Sequence, residues 1–168
     1  GLHTYGGMSG RLMEVFARGL DEMCYEDEVQ WIMQQTERFN ERLKSGGVPL
    51  LSGVDGAYIQ ADKFLPHLKH DQDSAFSAAL YETSGVRACA LGRYNDNKMQ
   101  ERNGNLVPVQ VPRLAMTNHQ LDQVADAIIQ LHKDSKNVPG LEFVSTVGGN
   151  KWQDQMKYRS VYSDALKL

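Results

Sequence analysis

Cysteine, proline, long apolar runs and an excess of charge of either sign are all scarce in this sequence. Its two cysteines, Cys24 and Cys89, are too few for a secreted disulfide framework, and neither belongs to a pair spaced for zinc. Both are expected to be reduced residues of the core. No stretch approaches the roughly 20 apolar residues that cross a bilayer, and no basic and apolar leader is read at the N-terminus. The 18 basic and 21 acidic residues leave a net charge of −3, without a long block of one sign. That balance lacks the electrostatic footprint of a dedicated nucleic-acid binder. The expectation is a cytoplasmic protein with neither nucleic acid nor membrane as a partner.

What is present is enough for one folded domain, or a large piece of a bigger protein: 168 residues, 41% of them apolar and 23% charged. The chain opens on Gly1 and a glycine-rich stretch, and is expected to be a fragment of something longer.

Periodicity divides the chain. Ser9 precedes Leu12, Phe16, Leu20 and Met23 at helical spacing, predicting a helix from Ser9 to Met23. Val29, Ile32, Thr36, Phe39 and Leu43 continue in steps of three and four until Gly46 and Gly47, predicting a second helix or the continuation of the first. Val48–Leu51 and Ala57–Ala61 read as strands joined by a turn through Gly53 and Gly56. A third helix opens at Ser74 and stops at Gly85, and Val86–Leu91 reads as a strand. Arg93–Asn105 is polar and Asn-rich and is expected at the surface as a loop or a poor hairpin. Val107, Val109 and Val111 alternate with Pro108 and Pro112, so this segment is expected as an edge strand or as merely extended chain. Thr117 and Gln120 form a capping box before a helix that reaches about Lys133. Leu141–Val147 reads as a strand, followed by an irregular tail. The order predicts an α/β protein with an α+β small domain, a mainly antiparallel sheet carrying helices on one face.

Three constellations invite a chemical reading. His67, His70 and Asp71 have spacing that can share a metal, but a bare His-x-x-His lacks the glutamate and third ligand of convincing zinc motifs, so a solvated turn is favoured. Tyr5-Gly-Gly-Met-Ser-Gly10 can cradle an anion at a helix start, although no lysine follows and a tight turn with an N-cap is the simpler account. Arg113 ends an apolar segment and must reach solvent or pair with a carboxylate; on spacing alone a structural ion pair is favoured. Met8, Met13, Met23 and Trp31 fall on or near helical faces and are expected in the core.

Several ordered blocks resemble one family. Tyr5-Gly-Gly-Met-Ser-Gly-Arg-Leu-Met-Glu14, Arg18-Gly-Leu20, Phe64-Leu-Pro-His67, Leu80-Tyr-Glu82, Ser84-Gly-Val-Arg87, Leu121-Asp122 with Val124-Ala-Asp126, and Gly140-Leu-Glu-Phe143 are similar, in that order, to the aromatic amino acid β-eliminating lyases, the tryptophanase and tyrosine phenol-lyase family. The resemblance covers nearly the whole chain, from Gly1 to about Val147.

It implies the C-terminal portion of a pyridoxal 5'-phosphate enzyme of the aspartate-aminotransferase fold type (fold type I). Residues 1–45 would be the end of the large domain with its connecting helices, and 46–168 the small domain. The implied activity is carbon–carbon lysis of an aromatic amino acid to pyruvate, ammonia and the aromatic leaving group. The implied partners are the amino-acid substrate, the upstream catalytic part of the same enzyme and further subunits of a homo-oligomer, with a monovalent cation as a candidate second cofactor. The family's Schiff-base lysine sits in a Ser-x-Lys-Lys context, which none of the nine lysines here shares, so no catalytic or cofactor-binding residue is assigned and the chain alone is expected to be inactive. Three substrate-binding positions carry over. Tyr5 matches the tyrosine of the Tyr-Gly-Gly turn. Arg113 in Arg-Leu-Ala-Met116 matches the arginine that holds the α-carboxylate; an ungapped count from the downstream block would place Pro108 there, but a carboxylate needs a cation. Leu91 falls where the family selects its leaving group and suits indole, giving a tryptophanase-like pattern. Ala90 and Asp55 depart from the family's usual glutamate and histidine. These departures suit a related enzyme with another amino-acid substrate, and a non-catalytic binding or assembly domain is the reading from outside enzymology.

Overall fold

The computed structural model of the chain describes residues 6–90, 105–147 and 155–161, with side chains described through residue 141. Helix α1 (Gly10–Glu22) starts where Ser9, in an extended conformation, accepts a hydrogen bond from the Leu12 amide at 3.4 Å. Helix α2 (Glu26–Ser45) follows after a short break. Acids Glu26, Asp27 and Glu28 occupy its first turn and Arg42 and Lys44 its last, both complementing the helix dipole. Its buried residues, Gln35, Thr36, Phe39, Asn40 and Leu43, all lie from Gln35 onward. The first half projects beyond the core.

Strands β1 (Leu50–Ser52) and β2 (Gly56–Gln60) form an antiparallel hairpin with Leu50 opposite Ile59. Strand β3 (Leu106–Gln110) pairs antiparallel with the other side of β2, Tyr58 opposite Pro108, completing a three-stranded sheet in the order β1-β2-β3. Pro108 therefore lies on an edge strand, as a missing amide donor requires. Gly56 is fixed by close approach: a Cβ there would lie 2.3 Å from the Val109 carbonyl oxygen. Ala57, Ile59, Val107 and Val109 turn one sheet face inward, against α2 and the later helices.

The short helix α3 (Ala61–Phe64), helix α4 (Gln72–Ser84) and helix α5 (Asn118–Lys133) complete that core. Phe64 and Phe76 meet edge to face at 4.8 Å, among the fully buried Leu43, Ile59, Leu80 and Ile128. Gly85, at φ 73°, closes α4 in the left-handed conformation expected of a C-terminal glycine. Thr117 and Gln120 make both hydrogen bonds of the capping box at the start of α5. Helices α2 and α5 run in the same direction. Arg38 grips Asp122 at 2.6 Å and Arg42 grips Asp126 at 2.8 Å, while Gly46 lets the backbone of α2 approach Ile129.

Four expectations need correction. Residues 86–90 form no ladder among the described residues; they keep a strand-like alternation, with Val86 and Ala88 against the core and Arg87 and Cys89 outward, but no strand pairs with them. Leu91 and most of the 93–105 segment lie outside the described residues. The tail is not wholly irregular: strand β5 (Gln155–Val161) pairs antiparallel with β4 (Gly140–Val147), with a bulge at Phe143/Ser145, and the polar–apolar alternation of Gln155-Met-Lys-Tyr-Arg159 was its signal. Cys24 and Cys89 are free but exposed. Met8, Met13, Met23 and Trp31 are likewise exposed: α1 has no buried residue, and burial in α2 begins only at Gln35.

Candidate carboxylate-binding site

The site is built where β3 turns into α5. The Val111 amide donates to the Asp55 carbonyl at 2.8 Å, holding the strand end to the hairpin. The chain then tightens, with the Ala115 amide donating to the Pro112 carbonyl at 3.3 Å. Leu114 adopts φ 56°, a left-handed conformation that costs an L-residue about 1–2 kcal/mol. Beyond the turn, the Gln35 amide nitrogen donates to the Met116 carbonyl at 2.9 Å and to Asn118 Oδ1 at 3.1 Å.

Arg113 sits half-buried within this turn. Its Nη1 donates to Met23 Sδ, a weak acceptor. Its Nε and Nη2 are shut off from solvent and have no partner among the described residues. The ion pair expected from spacing is thus not formed with any described carboxylate. Two other arginines show what that edge of a guanidinium does: Arg38 offers Nε and Nη2 to both oxygens of Asp122, and Arg42 offers the same pair to Asp126. A planar fork of this kind matches a carboxylate in geometry and charge.

The other candidates do not converge on this turn. His67 Nε2 donates to the Val138 carbonyl at 3.0 Å, and His70 pairs with Asp71 at 3.0 Å. Among the described residues no three His, Cys, Asp or Glu side chains are grouped to hold a metal. Tyr5 and Leu91 lie outside the described residues. Asp55 is engaged in the hairpin: Gln110 donates to it at 2.9 Å and the Tyr58 hydroxyl at 3.1 Å, which hold its carboxyl below the usual range. Tyr58 is raised in turn by that contact. The described lysines, Lys44, Lys63, Lys69, Lys133 and Lys136, are all exposed, so none forms an enclosed Schiff-base site. Sequence reasoning missed Gln35, whose only signal was a polar residue four positions before Phe39 on the buried stripe, and Leu114, whose conformation left no signal.

No family model matches the chain. Individual proteins do. The chain is 32% identical over 154 residues to a tyrosine phenol-lyase of Nostoc punctiforme and 36% identical over 155 residues to one of Lacrimispora saccharolytica, covering in each case 86% of this chain and 33% of the relative. It is 38% identical over 149 residues to a probable tryptophanase of Halobacterium salinarum, with the same coverage. In sequence, therefore, the chain belongs to the aromatic amino acid β-eliminating lyase family. It spans about a third of the length of the curated relatives it matches.

Proposed function

We propose that the chain is the C-terminal part of a pyridoxal phosphate-dependent β-eliminating lyase in which Arg113 receives the α-carboxylate of an amino-acid substrate. The observation that carries this reading is the solvent-excluded Nε and Nη2 edge of Arg113, without a carboxylate among the described residues. A guanidinium stays charged at all ordinary pH, so its counter-charge must come from a partner, and an amino acid brings one that fits the fork. Anchoring that end fixes the α-carbon and leaves the β-substituent to be positioned elsewhere. Leu91 is proposed to pack the leaving group, indole in preference to phenol because leucine offers no donor, and Tyr5 to lie beside the substrate.

The described residues do not themselves fit a cofactor site, the described lysines being exposed. Pyridoxal phosphate, which supplies an electron sink when bound, is therefore assigned to an upstream part of the same enzyme, together with any monovalent cation. In this reading residues 1–45 end the large domain and 46–168 form the small domain of fold type I. Helix α2 ends at that division, and its later turns, from Gln35 on, enter the core shared with residues 46 onward. The apolar face of α1 suits cover by that upstream part within a cytoplasmic homo-oligomer. A related enzyme acting on a different amino acid is the second reading. It is favoured by Asp55, where the family has histidine and whose carboxylate is engaged by Tyr58 and Gln110.

Pyruvate release from L-tryptophan and L-tyrosine by the full-length protein, loaded with cofactor, tests the proposal. Arg113→Gln is expected to raise KM by about 30-fold or more, the scale of a lost buried charge pair, without changing the circular dichroism spectrum. An unchanged KM would overturn the role of Arg113. Turnover of neither amino acid, but of another, would favour the second reading, and pyruvate from the 168-residue chain alone would overturn its dependence on an upstream part. A full-length protein with no turnover of any amino acid would be the non-catalytic assembly domain.

A further inference from the structure

We infer that Gln35 is a positioning residue for Arg113, which rests on the reading of Arg113 as the carboxylate receptor. Gln35 is 3% exposed, on the core-facing side of α2, four residues before Phe39. Both hydrogens of its amide nitrogen are used, one on the Met116 carbonyl and one on Asn118 Oδ1. A carbonyl can only accept, which fixes the amide with its nitrogen towards the turn. Its oxygen, Oε1, is buried without a partner among the described residues. A buried polar group left half satisfied is a poor choice for stability alone, and an apolar side chain would fill the same space without that cost. What glutamine contributes is a pair of donors aimed at the segment that carries Arg113.

That segment needs holding. Leu114, next to Arg113, is in a conformation that a leucine keeps only where its surroundings impose it. Val111 is tied to Asp55 before the turn, and the Thr117 capping box fixes the chain after it. Gln35 adds a link from the turn to a different element, α2, which packs on α5 through the core and is set in register with it by Arg38–Asp122 and Arg42–Asp126. The amide is therefore presented from a rigid support, and Met116 lies only three residues beyond Arg113. Losing the link frees the turn to relax at Leu114 and to swing the guanidinium out of line with the carboxylate.

The experiment measures equilibrium binding of L-alanine and of L-alaninamide to the cofactor-loaded full-length protein. These probes differ only in the carboxylate, so their affinity ratio reports the arginine and not general packing. Gln35→Met, which keeps the volume and removes the donors, is expected to weaken L-alanine about tenfold while leaving L-alaninamide within about twofold. Asn118→Ala removes an exposed acceptor of the same link and is expected to weaken L-alanine about threefold by the same measure. Arg113→Gln should make the two probes equal. A ratio unchanged in Gln35→Met overturns the positioning role; should that variant fail to fold, an unchanged ratio in Asn118→Ala overturns it instead. If Arg113→Gln itself keeps the wild-type ratio, the reading of Arg113 falls, and the inference with it.

Discussion

Helix α1 and the second half of α2 both carry an apolar stripe at helical spacing, yet Leu12, Phe16 and Leu20 are 55–59% exposed whereas Phe39 and Leu43 are at most 2% exposed. Local propensity does not separate them. Helix α1 is the better amphipath, with Arg11, Glu14, Arg18, Asp21 and Glu22 collected opposite its apolar side. The difference is the availability of a counter-surface. The second half of α2 faces a sheet and a parallel helix from later in the same chain, while no residue of α1 is buried by the described chain. An apolar stripe specifies which face will be covered; whether it is covered depends on what else is tethered nearby.

The sharpest way to test the contrast is to cut into both stripes. Leu43→Ala should cost the 168-residue chain about 2–5 kcal/mol, as expected for a large-to-small change in a packed core, read as a lower urea midpoint. Acid should act next, and on the core region. Asp122 is held below the usual carboxyl range by its hydrogen bonds from Arg38, and Asp55 by that from Gln110. A depressed folded-state value means that stabilisation is complete above the unfolded value of about 4 and is lost as pH falls through the folded one. The urea midpoint should therefore decline below about pH 4, and Asp55→Asn with Asp122→Asn should flatten that decline. The smallest effect belongs to α1. Phe16→Ser should shift stability by less than about 0.5 kcal/mol while reducing self-association of the isolated chain in sedimentation. A loss at Phe16 equal to that at Leu43 would show α1 packed in solution and erase the contrast.

Much of the architecture was legible because it is local. The Ser9 and Thr117 caps, the Gly85 stop, the valine alternation of β3 and its edge position all follow from a residue and its near neighbours. The misreadings share a cause of the opposite kind. Residues 86–90 alternate as a strand should, but pairing needs a second strand at the right distance. Cys24 and Cys89 read as core by residue type and Trp31 by its place on or near a helical face, whereas burial is decided by what the rest of the chain can place against them. At the candidate site Arg113 could be singled out from its neighbours, but the fork of donors it presents could not. Gln35 reaches Met116 across 81 positions, a relation that no local pattern encodes.

The two arginine–aspartate pairs between α2 and α5 are spaced four residues apart on each helix, one helical turn. Sliding one helix past the other by four residues, about 6 Å, would leave a single pairing, Arg38 with Asp126 or Arg42 with Asp122, and a slide of half that distance would leave none. The ladder thus works as a vernier: its solvent-exposed rungs add little adhesion, but only one setting engages both. Because Gln35 and Asn118 stand three and four residues before the first rung on their helices, this setting also sets the height at which Arg113 is carried.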